Sequence, residues 1–212
     1  MRTKTLLLTA ALGVACAATT MAQVYSVNAV GYVNTALAKG WNMISNPLQN
    51  QQANTVATLL AGVPAGTMAY KFTNGSYEPA NIYDPDLGGW SDTAQTCLPG
   101  EGLFVNVPSA VTVTFVGEVL QGDLVTALVK GWNIASSKVP QTGKLQTDLN
   151  FPAAAGQIFY TYNAAQQKYD PQWAYDQDLG GWAPEEPTIP VGGAFWVQAP
   201  AATSWTRTFH VN

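Results

Sequence analysis

The sequence predicts an all-β, mainly antiparallel protein made of two duplicated small domains, each a β-sandwich or a partly open β-barrel with one short helix. Composition is the first reason. Charged residues make up 10% of the chain and aromatics 11%, with 19 glycines and 13 prolines, which disfavours disorder and favours short strands joined by turns. Repetition is the second. "TALAKGWN" (35–42) returns as "TALVKGWN" (126–133), and "YDPDLGGW" (83–90) returns as "YDQDLGGW" (175–182), at spacings of 91 and 92 residues. A period of that length is domain duplication rather than a solenoid. The third reason is a series of short apolar runs bounded by turn residues, with Asn74-Gly75 between "YKF" and "SYEP" as the clearest hairpin signal.

Taken in chain order, Arg2 and Lys4 precede an apolar stretch from Leu6 to Ala18 and small or polar residues ending at Ala22. This is the layout of a secretory signal peptide (1–22) cleaved after Ala22. The stretch is shorter than the roughly 20 apolar residues that span a bilayer, and no second one follows, so no membrane span is expected. Cys16 has Gly13, not a leucine-like residue, three positions before it, which argues against a lipid attachment signal. Removal of the leader leaves Cys97 as the one cysteine, so no intramolecular disulfide can form and stability must come from the core. The expected location is extracellular, cell-surface or periplasmic.

The first β domain is assigned to 23–120 and the second to 121–212. Within each, "VNTAL" and "WNMIS" and their counterparts read as strands separated by a Lys-Gly turn, with Trp41 and Trp132 entering the next strand as core residues. Asn54 is placed to cap a helix over "TVATLLAG", and "KLQTDLN" fills that place in the second copy. "AYKF", "GLFVNV" and "TVTFVGEVL" complete the strands. "GTMAYKFTNGSYEP" (66–79) corresponds to "GQIFYTYNAAQQKYDP" (156–171), which carries two more residues in its turn. The boundary falls at "GEVLQGD" (117–123), a linker too short to separate two domains, so they must pack together or share strands.

The "KGWN-x-I-S-x-P" opening (39–47) and the "PGEG-x-F-V" segment (99–105) before the final strand resemble a module that recurs, often in tandem, in uncharacterised secreted bacterial proteins. The likeness covers nearly the whole mature chain and rests on short glycine and aromatic patterns. It implies an exported tandem β protein and carries over no catalytic residues.

Charge and motif content narrow the function classes. From Gln23 onward, seven Lys or Arg stand against thirteen Asp or Glu, a net charge of −6; without a basic patch to neutralise phosphate, nucleic acid is not an expected partner. The one histidine, His210, lies near the chain end, and with Cys97 it makes neither a nucleophilic arrangement nor a four-ligand zinc site. No glycine-rich phosphate loop opens a helix. No catalytic residue and no cofactor are therefore assigned.

The repeated loop is the candidate site. Tyr83, Asp84, Asp86 and Trp90 in the first copy, and Trp173, Tyr175, Asp176, Asp178 and Trp182 in the second, combine aromatic faces with planar polar groups, a mixture suited to carbohydrate. The i, i+2 pairs Asp84/Asp86 and Asp176/Asp178 would put both carboxylates on one side of an extended segment, an arrangement calcium accepts, although calcium also wants 6 to 8 oxygens and the next ligand position is glycine. The competing expectation is a folding device: Asp caps its own turn, and Leu87 to Trp90, with Leu179 to Trp182, pin the loop to the core. The leading functional expectation is a non-catalytic structural or interaction module with a protein or polysaccharide partner outside the cytoplasm. Carbohydrate binding through the loops comes second and a secreted hydrolase third, since adjacent aspartates in small loops match poorly with a cleft that needs carboxylates on opposite sides of a sugar.

Overall fold

The computed structural model describes residues 29–211; the expected signal peptide lies outside them. The chain is mostly antiparallel β, in several sheets, none of which closes into a barrel. The first unit contains β1 (Val30–Leu37), β2 (Gly40–Ser45), helix α1 (Val56–Leu59), β3 (Met68–Thr73), β4 (Ser76–Tyr77), β5 (Asn81–Asp84), β6 (Gly89–Trp90), β7 (Gly102–Val107) and β8 (Val111–Glu118). The second contains β9 (Gly122–Leu128), β10 (Gly131–Ser136), β11 (Gly143–Lys144), β12 (Ile158–Tyr160), β13 (Tyr162–Asn163), β14 (Lys168–Tyr169), β15 (Trp173–Asp176), β16 (Gly181–Ala183), β17 (Thr188–Ile189), β18 (Ala194–Ala199) and β19 (Thr203–Phe209). The order β2-β7-β3-β5-β6 in one sheet is matched by β10-β18-β12-β15-β16 in the other, and the pair β1-β8 is matched by β9-β19.

In each unit the first two and last two strands form a two-stranded ribbon that turns a corner. Leu37 pairs with Val111 on one side of the corner and Gly40 with Val107 on the other; Leu128 with Thr203 and Gly131 with Ala199 repeat this. Two residues on one strand thus oppose three on its partner in both units. The "KGWN" motif builds the tighter side of this corner. Gly40 and Gly131 take φ +95 and +94, values at which a Cβ would be strained. The Asn42 side chain accepts from the Ala38 N–H (2.9 Å) and donates to the Ala38 and Gly40 carbonyls, and Asn133 does the same with Val129 and Gly131. Satisfying these groups matters because unpaired backbone polar atoms at a packed corner are costly.

The other local signals follow equally simple chemistry. Asn74 and Gly75 both have positive φ (+51 and +84), as a two-residue hairpin turn requires, and Phe72 pairs with Tyr77 across it. Helix α1 is capped by Thr55, whose Oγ1 accepts from the Thr58 N–H; Asn54, the expected cap, is buried and accepts instead from Asn46 Nδ2 and the Asn50 N–H. The corresponding segment of the second unit forms turns. There the Asp148 carboxylate takes the Lys144 N–H, Glu186 takes those of Gln146 and Thr147, β11 pairs with β17, and Leu149 and Phe151 donate to the Lys144 and Leu145 carbonyls, five and six residues back, rather than in a helical ladder.

Three apolar cores are stacked through the molecule. Leu48, Val56, Leu103, Val105 and Phe115 fill the first unit, and Leu145, Phe159, Phe195, Val197 and Trp205 fill the second. Between them lies a third, of Met43, Phe104, Ile134, Ala194 and Trp196. Strands β7 and β18 are buried on both faces for this reason, whereas β1 and β9 alternate between exposed and covered positions, as strands with one wet face do.

Contact between the units has an approximate two-fold relation. Ser45 N–H donates to the Gly192 carbonyl at 2.9 Å, and Ser136 N–H donates to the Gly100 carbonyl at 3.0 Å. Ile44 bridges to Gly193, and Ala135 bridges to Glu101. These are equivalent positions in the two sequences, exchanged, as in an isologous dimer interface. Gly102 of the "PGEG" segment sits where a Cβ would come within 2.7 Å of Ala194 Cβ, so glycine here permits the close approach of the two sheets.

Candidate functional site

The repeated loops form matching turns. Tyr83 pairs with Trp90 and Asp84 with Gly89; Tyr175 pairs with Trp182 and Asp176 with Gly181. Asp84 Oδ1 accepts from the Asp86 N–H at 2.9 Å, and Asp176 Oδ1 accepts from the Asp178 and Leu179 N–H groups at 2.8 and 3.2 Å. One carboxylate of each pair therefore closes its own turn, while those of Asp86 and Asp178 are exposed. Among the described residues no three His, Cys, Asp or Glu side chains come together, which leaves an ion at either loop only its own aspartates as carboxylate ligands. The indoles of Trp90 and Trp182 are each 8% exposed and lie in the unit cores against Tyr83 and Tyr175. Neither presents a face to a sugar, and the Nε1 of each has no hydrogen-bond partner. Trp173 packs edge-on against Phe159. Leu87 and Leu179, expected to pin the turn, instead project from it at 86% and 75% exposure.

Nucleophilic chemistry finds no assembled group in the described residues. His210 is exposed beyond the end of β19. Cys97 is buried, and burial pushes its thiol up to about 12, so the reactive thiolate is absent at neutral pH.

The concave, aromatic region of the molecule lies along the seam between the units. Trp41 and Trp132, expected in the unit cores, stand part-exposed on this seam. Trp41 meets Tyr70 and Phe104 (centroids 5.4 and 6.1 Å); Trp132 meets Tyr160 and Trp196 (both 6.0 Å). The hairpin β3-β4 reaches across to the second unit, placing Phe72 and Tyr77 at 4.7 and 6.2 Å from Trp196. Its counterpart β13-β14 reaches the other way, with Tyr162 and Tyr169 at 5.3 and 6.2 Å from Phe104. Every ring contact in one direction thus has its equivalent in the other.

Two clefts result. One, of about 430 Å³, is lined by Trp41, Tyr70, Tyr77, Glu78, Phe104, Tyr162 and Tyr169. The other, of about 450 Å³, is lined by Phe72, Trp132, Tyr160, Tyr169 and Trp196. Each is a cleft of one unit completed by the hairpin of the other, and both are of a size typical for small-molecule sites. Burial and the nearby Tyr169 push the Tyr77 phenol up to about 12, and burial likewise raises that of Tyr162; both stay protonated at neutral pH. Several polar tips are already engaged: Trp196 Nε1 donates to Tyr169 Oη (3.2 Å) and Tyr160 Oη to Gln172 Oε1 (2.7 Å). What the clefts offer a ligand is chiefly ring faces.

The seam was hidden in the sequence because it depends on contacts between the units. Its one local signal is that Trp41, Tyr70 and Tyr77 recur as Trp132, Tyr160 and Tyr169. No helix among the described residues is long and apolar enough to cross a membrane. No family model, curated protein or solved structure matches the chain.

Proposed function

We propose that the protein is an exported, non-catalytic interaction module, made of two copies of one β unit, and that its binding surface is the aromatic seam between them. One observation carries the reading: equivalent aromatic residues of the two units line two clefts of similar size, each completed by the partner unit's hairpin. A purely structural seam would bury its rings, whereas Trp41, Tyr77, Trp132 and Tyr169 all keep part of their surface in solvent. The buried Cys97 and the isolated, exposed His210 support a non-catalytic role.

Carbohydrate is the second reading, and it moves with the available faces, from Trp90 and Trp182, which are buried, to Trp41 and Trp132, which are not. A glycan and small-ligand array, read by tryptophan fluorescence with and without calcium, tests both. Binding that is lost in Trp41→Ala/Trp132→Ala and kept in Asp86→Ala/Asp178→Ala supports the seam. Binding lost in the aspartate variant and kept in the tryptophan variant returns the site to the loops.

A further inference from the structure

We propose that the cleft at Trp41 is a site for a quaternary ammonium group, held by cation–π contact and by the Glu78 carboxylate; this rests on the seam being the binding surface. The geometry is that of a cage. Ring planes of Trp41 and Phe104 stand at 79°, those of Phe104 and Tyr162 at 80°, and those of Tyr162 and Tyr169 at 84°. A flat sugar ring is served by one open face, whereas a compact cation is served by several walls at steep angles, each turning its electron-rich face inward.

Charge points the same way. No basic side chain lines the cleft, and Glu78 stands at its edge. Its carboxylate accepts from Thr73 Oγ1 (2.9 Å) and Gln95 Nε2 (3.2 Å), both neutral donors, and the one ion pair among the described residues is Lys71 with Glu101. The negative charge at the cleft is therefore unneutralised. A quaternary ammonium has no N–H to satisfy, so walls made of ring faces leave nothing on it unpaired. A primary ammonium would in addition need acceptors in place for each of its three N–H groups. The cleft at Trp132 has the rings without a carboxylate in its lining, so the first cleft is expected to bind the cation more tightly.

The test is titration of the full mature chain with choline, its uncharged isostere 3,3-dimethylbutan-1-ol, and glycine betaine, read by tryptophan fluorescence and ligand-methyl NMR. Choline should saturate the site, with the isostere weaker by roughly 2- to 30-fold and betaine weaker because no basic group receives its carboxylate. Glu78→Gln should weaken choline and leave the isostere unchanged; Trp41→Ala should abolish both. Phosphatidylcholine and phosphatidylglycerol vesicles separate the sources of the group: retention on the former alone assigns a lipid headgroup, and choline binding without vesicle binding assigns a free small molecule. Equal binding of choline and its isostere, or a Glu78→Gln variant indistinguishable from wild type, overturns the proposal. Failure of choline while another ligand still depends on Trp41 removes the cation and keeps the seam; indifference of every ligand to Trp41 and Trp132 removes both.

Discussion

The hairpins β3-β4 and β13-β14 do the same work with different turns. The first closes through Asn74-Gly75; the second is longer by two residues, and at its end Gln167, with φ +53, reaches the other unit. Gln167 Oε1 accepts from the Trp41 N–H at 2.7 Å, and Nε2 donates to the Trp41 carbonyl at 2.9 Å and to the Ala164 carbonyl at 2.6 Å. The aromatic pairings are shared, but the polar lock on the backbone is described only at Trp41. Ring packing defines the two-fold relation, while the longer turn adds a polar contact to the Trp41 backbone.

The strongest way to break the symmetry is through the middle core. Phe104→Ala and Trp196→Ala each remove a nearly buried ring at equivalent positions and should each cost about 3–5 kcal/mol in urea unfolding; a large difference between them would mean that one unit alone carries the seam. Gly40→Ala and Gly131→Ala come next. Both force a side chain into left-handed backbone, which costs roughly 1–2 kcal/mol, but a Cβ at Gly131 meets nothing within 4 Å whereas one at Gly40 collides with the Gln167 amide. Gly40→Ala should therefore be the more destabilising, and Gln167→Ala should bring the two closer together.

Gln167→Ala alone sharpens the contrast further. Loss of its hydrogen bonds should cost about 1 kcal/mol and increase quenching of Trp41 fluorescence by acrylamide, with Trp132 unaffected; single-tryptophan variants separate the two signals. The smallest effect expected is alkaline. The Tyr77 phenol is raised from its ordinary 10 to about 12 in the fold, so above pH 10 the unfolded chain releases this proton first. Stability contributed by the protonated phenol is complete below pH 10 and is lost as pH rises to about 12; solvent screening at this half-exposed ring keeps the effect small. Tyr77→Phe should flatten that part of the stability profile, and tyrosinate absorbance should show one fewer late-titrating group.

Much of the architecture was legible because it is encoded locally. Composition, alternation and turn chemistry indicated antiparallel β structure, and Asn74-Gly75 identified a hairpin; "KGWN" indicated a turn, which the structure makes the corner of a paired ribbon. Asp84 and Asp176 close their turns as their residue type allows. The candidate site was less legible, because "GGW" and "KGWN" each present a tryptophan beside glycine and only long-range packing tells them apart. Trp90 and Trp182 turn into the unit cores, while Trp41 and Trp132 face the opposite unit. The helix expected over "KLQTDLN" does not form; a turn takes its place, tied by Glu186 from some forty residues downstream.

Only three residues, 119–121, join β8 to β9, and this sets the mass action between the two units. Were the two units separate chains, the clefts would assemble only above the dissociation constant of the pair and would vanish on dilution. Joined through a short linker, each unit meets the other at an effective concentration in the millimolar range. Dilution then costs the seam nothing, and each cleft keeps the hairpin that completes it.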